Sequence, residues 1–129
     1  MNRPATIRVM IVDNYEILRS ILSLSLTVYT DIQVVAEAAN GLEAIELCAQ
    51  IEPDVILMEA LMPHMDGIQA ATQIRQQWPE VKIITLTSSV DPSLKQTALE
   101  AGVHEFLLKN VSLKQIAVAI RRVIDPHAC

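Results

Sequence analysis

Four polar residues stand directly behind short apolar runs: Asp13, Glu59, Thr87 and Lys109. Any one of them is unremarkable, because polar residues commonly end buried segments. As a set they suit phosphate chemistry. A carboxylate can hold Mg²⁺ or attack phosphorus, and a hydroxyl and an ammonium can hold phosphoryl oxygens. The stretch DVILMEALMP, residues 54–63, poses the sharpest question. Four apolar residues run straight into a carboxylate, and that carboxylate is glutamate, one methylene longer than aspartate.

The elements that must position these groups can be read from hydrophobic period. Short runs rich in Val, Ile and Leu occur at 7–12, 32–36, 55–58, 83–86 and 106–108. They read as strands buried on both faces. Between them lie segments of period near 3.6. Leu42, Ile45, Ala49 and Glu52 trace one path, with Asn40 as cap and Glu43 three residues on. Ile68, Ala71, Thr72 and Ile74 begin another. Ser112 and Gln115 read as a capping box before a stripe of Leu113, Ile116, Ala117, Ile120 and Ile124. Arg121 and Arg122 fall near the end of that helix, where cations suit the dipole. Val118 and Val123 stand off its main apolar line and are candidates to face a partner. The segment ILSLSLTVY, 21–29, alternates like a strand, yet Ile17, Ile21, Leu24 and Val28 keep helical spacing. A helix there makes the whole chain alternate β-α five times. That pattern predicts the α/β class: a doubly wound parallel sheet with helices on both faces. Ligands in such folds sit at the carboxyl ends of the strands, near the switch in strand order.

Composition narrows the class. The 129 residues suggest one domain with an aliphatic core, since Tyr15, Tyr29, Trp78 and Phe106 are the only aromatics. A formal charge of −5 argues against a nucleic-acid surface. No leader-like segment and no long apolar run occurs, so the expectation is a cytoplasmic protein without membrane contact. Cys48 and Cys129 have no metal spacing and read as a partly buried thiol and a loose terminal one. His64, His104 and His127 read as surface residues. Trp78-Pro79 reads as a helix end and turn.

At IVDN (11–14), DVILMEALMPHMDG (54–67), IITLTS (83–88) and ALEAGVHEFLLKN (98–110), the chain resembles a response-regulator receiver domain. The LTS, the AGVHEFLLK and the early DN resemble the LuxR/NarL-type subfamily. The resemblance covers nearly all of 1–129, with a core of about 6–124. It implies a flavodoxin-like (βα)5 sheet of strand order 2-1-3-4-5, a sensor histidine kinase as phosphoryl donor, and no enzyme activity. It places Glu59 at the phosphoacceptor position, where it is also a ligand to Mg²⁺, and Asp13 and Asn14 at the acidic pair that holds the same ion. Leu61 would supply a backbone carbonyl to the metal. Thr87 is the hydroxyl that follows the phosphoryl group, Lys109 the charged partner, and Phe106 the switch aromatic. Pro63 and the Asp66-Gly67 turn match the loop after strand 3.

Two departures fall in the chemistry. Asn14 replaces an acid and Glu59 replaces the acceptor aspartate, so the site carries one negative charge fewer and Mg²⁺ binding should weaken. Displacing a reacting group by ~1 Å can cost about a hundredfold in rate. The longer side chain is expected to reach toward Lys109 and Thr87. Three readings stay open. The first is an atypical receiver, or pseudo-receiver, with Glu59 as a built-in charge or a relic, acting through protein contacts. The second is weak phosphotransfer on Glu59. The third is an engineered variant of an ordinary receiver that had aspartate at 59. A flavodoxin-like small-ligand binder is a more remote reading, because the first loop, DNYEI, lacks the Gly, Ser and Thr that wrap a phosphate. No GxxxxGK[ST] occurs either. Receivers of this kind often dimerise, so a homodimer is expected. DNA contact, and with it transcription control, would need a DNA-binding domain outside this chain.

Overall fold

The computed structural model describes residues 6–127; Cys129 lies outside them. The elements run β1 (Ile7–Val12), α1 (Glu16–Ser25), a 3-10 turn (Leu26–Val28), β2 (Ile32–Ala38), α2 (Gly41–Ile51) and β3 (Val55–Met58). They continue α3 (Gly67–Gln77), β4 (Lys82–Thr87), α4 (Pro92–Glu100), β5 (Glu105–Leu108) and α5 (Leu113–Ile124). The strands form one sheet in the order β2-β1-β3-β4-β5. Every neighbouring pair is parallel. The expected doubly wound sheet and its strand order are therefore both found.

Side chains alternate across the sheet and feed two apolar layers. Met10, Ile56, Met58 and Ile83 join Ala44, Cys48, Ala71 and Ile74 on one face. Val9, Ile11, Leu57, Ile84 and Leu86 join Ile116, Ala117 and Ile120 of α5 on the other. Burial on both faces holds for β1, β3 and β4 but fails at the edges. Gln33 and Glu37 of β2 are exposed and β5 is only half-buried, because an edge strand has a neighbour on one side only.

The caps form as expected. Asn40 accepts the Glu43 N–H, and Ser112 and Gln115 close a capping box. Three helix faces differ from the sequence reading. In α2 the buried residues are Gly41, Ala44 and Cys48, while Leu42 is exposed. Small residues let this helix approach the sheet closely. Cys48 is fully buried, and burial pushes its thiol up to about 11, which makes it inert at neutral pH. In α5, Val118 faces solvent but Val123 is buried. In α1 the helix is real, but its stripe of Ile17, Ile21 and Leu24 lies in solvent and no α1 residue is buried.

His104 is structural rather than a free surface residue. Its ring Nδ1 accepts the Ile83 N–H at 3.1 Å, and its backbone N–H donates to the Ile83 carbonyl at 2.8 Å. Accepting that hydrogen bond needs a neutral ring. Burial, reinforced by the charges of Arg75 and Lys82, holds its pKa below the ordinary value. The unfolded chain therefore binds the proton more readily. The contribution is full above the unfolded pKa of about 6.5 and is lost as pH falls through the folded value. We expect the urea midpoint to drop between about pH 7.5 and pH 5, and the drop to flatten in His104→Ala. Parallel profiles for the two proteins would refute this role.

Candidate functional site

The site is built where the strand order reverses. Val12 of β1 pairs with Met58 of β3, so the next residues, Asp13 and Glu59, leave the sheet side by side. The ladder runs one step further: Asp13 N–H donates to Ala38, Glu59 N–H to Val12 and Lys109 N–H to Thr87, all to carbonyl oxygens. Strand parity then sorts the side chains. Asp13, Glu59 and Lys109 stand two residues beyond Ile11, Leu57 and Leu107, which pack on the α5 side. Thr87 stands four beyond Ile83, which packs on the opposite side together with Phe106.

The three charged residues meet. Lys109 Nζ lies 2.7 Å from Asp13 Oδ2 and 2.8 Å from Glu59 Oε1. Both carboxylates are buried, Asp13 at 6 % and Glu59 at 5 % exposure. Burial works against the lysine charge, but the hydrogen bonds and charges of Asp13 and Glu59 outweigh it and raise its pKa. The second oxygen of Glu59 is also occupied. Oε2 accepts the N–H of Ala60 at 2.8 Å and of Leu61 at 3.1 Å. Asp13 Oδ1 accepts the Tyr15 N–H at 2.9 Å.

Thr87 does not join this group. Its Oγ1 accepts the Ser89 N–H at 3.3 Å within its own loop. Of the two partners expected for Glu59, Lys109 is met and Thr87 is not. Phe106 is half-buried against the layer that holds Met58 and Ile83. The Leu61 side chain is exposed, and its N–H is the group that touches Glu59. Asn14 Oδ1 is buried and has no hydrogen-bond partner among the described residues.

That orphaned oxygen bears on the metal. A buried acceptor without a donor suits a hard cation. The carboxylates beside it are less available, since Lys109 takes an oxygen of each. Among the described residues no group of three or more His, Cys, Asp or Glu could hold a metal ion. The donor set fits Mg²⁺ only thinly.

Sequence reasoning missed two side chains. The Tyr15 ring lies under Lys109, with Nζ 5.6 Å from its centroid. Arg19 donates through Nη1 to the Asp13 carbonyl at 2.6 Å and pairs through Nε with Glu37 at 3.1 Å. Neither ends a strand. The one available signal was position, two and six residues after Asp13.

A parallel five-stranded α/β sheet with a lysine-bridged acidic pocket at its switch point defines a receiver-type signalling module. The response regulator receiver domain family matches residues 9–121, and the chain belongs to that family. This is a family of two-component signalling proteins rather than enzymes. The chain is 44 % identical over 117 residues to the response regulator protein VraR of Staphylococcus aureus, covering 91 % of this chain and 56 % of VraR. It thus spans little more than half the length of that relative. The receiver domain of the putative response regulator NarL from Mycobacterium tuberculosis superposes with a TM-score of 0.89 at 30 % identity, covering 94 % of this chain and 98 % of that one. A LuxR-family two-component response regulator from Aurantimonas sp. SI85-9A1 gives 0.89 at 29 %, covering 94 % of this chain and 86 % of that one. The LuxR/NarL-type resemblance is borne out. No helix among the described residues is long and apolar enough to cross a membrane.

Proposed function

We propose that this chain is a receiver module whose acceptor position is tied down, so that it signals without ordinary phosphorylation. One observation carries the reading: both carboxylate oxygens of Glu59 are engaged, one by Lys109 and the other by the N–H groups of Ala60 and Leu61. In the family chemistry a carboxylate oxygen attacks phosphorus, and the lysine and nearby donors receive the phosphoryl oxygens. Here the carboxylate itself lies on the lysine. Thr87 stays with Ser89 and does not follow it. The charge at position 59 is therefore a built-in stand-in that engages half of the switch. Asp13, Asn14 and the Leu61 carbonyl would hold Mg²⁺, weakly; the ion would neutralise charge on a phosphodonor. A sensor kinase or another signalling protein is the partner, in the cytoplasm. Transcription control would run through a DNA-binding domain beyond these residues.

The test is incubation with acetyl phosphate and Mg²⁺ followed by intact mass. The chain should show no stable phosphoryl adduct. Glu59→Asp should acquire one at least about a hundredfold faster, the scale set by moving a nucleophile by ~1 Å. A stable adduct on the unaltered chain would sink the reading.

Association follows from α1. Ile17, Leu24 and Val28 are each about 70 % exposed along one flank, and a contiguous apolar patch of that kind marks an interaction surface. We expect a homodimer in light scattering across a concentration series, converted to monomer by the double change Ile17→Glu, Leu24→Glu. A monomer at every concentration would refute it.

A further inference from the structure

A cavity of about 270 Å³ lies between α1, α5 and the sheet. Ile11, Leu57 and Leu86 form its floor, and Leu22 of α1 and Ile116 of α5 form its walls. The three floor residues are buried, at 7 % exposure or less, so the space reaches down to the core. An apolar cavity of roughly 150 Å³ already accepts benzene.

The helix over this space meets the core thinly: Leu22 is only partly buried, and the fully buried anchor, Leu26, belongs to the 3-10 turn that follows. A helix on a doubly wound sheet normally buries one stripe. The α1 sequence, EILRSILSLS, has the apolar residues to do so, yet none is buried. Its inner flank looks onto the cavity instead. A second copy of the chain would cover the outer ridge of Ile17, Leu24 and Val28, none of which lines the cavity. The space beneath stays available to a smaller molecule.

The polar end sets the chemistry of the occupant. Lys109 is bridged between Asp13 and Glu59, and Arg19 is held by Glu37 and the Asp13 carbonyl. The Asp13–Lys109–Glu59 group keeps one net negative charge, which repels an anion, and both carboxylates already hold Lys109, with which a cation would have to compete; burying an unpaired charge would be strongly unfavourable. We propose that the cavity binds one uncharged apolar small molecule, of two- to three-ring or medium-chain size. Such a molecule rests at one end against the Asp13–Lys109–Glu59 group and gives the module a chemical input. The inference rests on the cavity and on the unphosphorylated Asp13–Lys109–Glu59 group at its polar end, and it is tested on the unphosphorylated chain, so its outcome does not depend on whether Glu59 accepts a phosphoryl group.

N-phenyl-1-naphthylamine, an uncharged probe that fluoresces in apolar sites, tests it on the unaltered chain. We expect saturable binding at one probe per chain. Ser25→Phe, which projects into the cavity, should weaken binding at least about tenfold, a loss of roughly 1.4 kcal/mol. The ridge variant Ile17→Glu, Leu24→Glu should bind as before. Methyl NMR of the unaltered chain supplies a readout that needs no variant. Shifts at Leu57, Leu86 and Ile116 support the site. The absence of saturable binding, or shifts confined to Ile17 and Leu24, overturns it.

Discussion

Lys109→Met should destabilise the chain by about 3–5 kcal/mol at neutral pH, the usual consequence of removing one partner from a buried ion pair. Here one lysine serves two carboxylates, at 2.7 and 2.8 Å. Each contact is worth roughly 4–6 kcal/mol gross at an effective dielectric of about 20, and desolvation takes back much of it. Methionine keeps most of the apolar stem but leaves Asp13 and Glu59 buried without a counter-charge. Their backbone donors, Tyr15 for one and Ala60 and Leu61 for the other, satisfy single oxygens only. Urea unfolding measures the loss. A change below about 1 kcal/mol would mean that solvent screens the group as it screens a surface pair.

The lysine also sets a pH dependence in the unaltered chain. Its pKa is raised on folding, so its contribution is complete below the unfolded value of about 10.4 and fades as pH rises through the folded one. Adding Glu59→Gln to Lys109→Met should restore part of the lost stability, because one of the two unpaired charges is gone.

Much of this arrangement was legible because the strands are bounded by polarity. The runs at 7–12 and 55–58 match β1 and β3 residue for residue, since Asp13 and Asp54 or Glu59 flank them sharply. Their carboxylates end neighbouring strands, and only strand order, not period, could say so. Thr87 was grouped with them because all four follow apolar runs. Its parity tells a different story: Thr85 and Thr87 alternate with Ile84 and Leu86, and the α5 side belongs to the latter pair. The buried face of α2 departs from the apolar period because close helix–sheet packing selects the small Ala44 and Cys48 over the larger Leu42. The stripe on α1 shows the limit of period as evidence. It reports that a helix has an apolar flank but not what covers it. Tyr15 and Arg19 reach the site through the entry into α1, which no strand-end pattern describes.

Gly67→Ala should be the most damaging single methyl in the chain, at or above ~3 kcal/mol, the upper part of the range for overpacking. A Cβ at Gly67 would lie 2.0 Å from the Glu59 carbonyl oxygen, a backbone atom that no rotamer change can move. The Gly67 N–H donates to the Ala60 carbonyl at 2.8 Å, which folds the loop of 60–66 back onto the end of β3. That closure is what aims the N–H groups of Ala60 and Leu61 at Glu59 Oε2. Forcing the loop away would therefore do more than loosen α3. It would free one carboxylate oxygen while Lys109 keeps the other. Lowered thermal stability should come with lost hydrogen-exchange protection at the amides of Ala60 and Leu61, and the amide of Ile84 in the interior strand β4 should stay protected. Gly67→Ala with wild-type stability and protected amides at 60 and 61 would show that the loop relaxes without passing the strain to the site. The link from this glycine to the carboxylate would then be wrong.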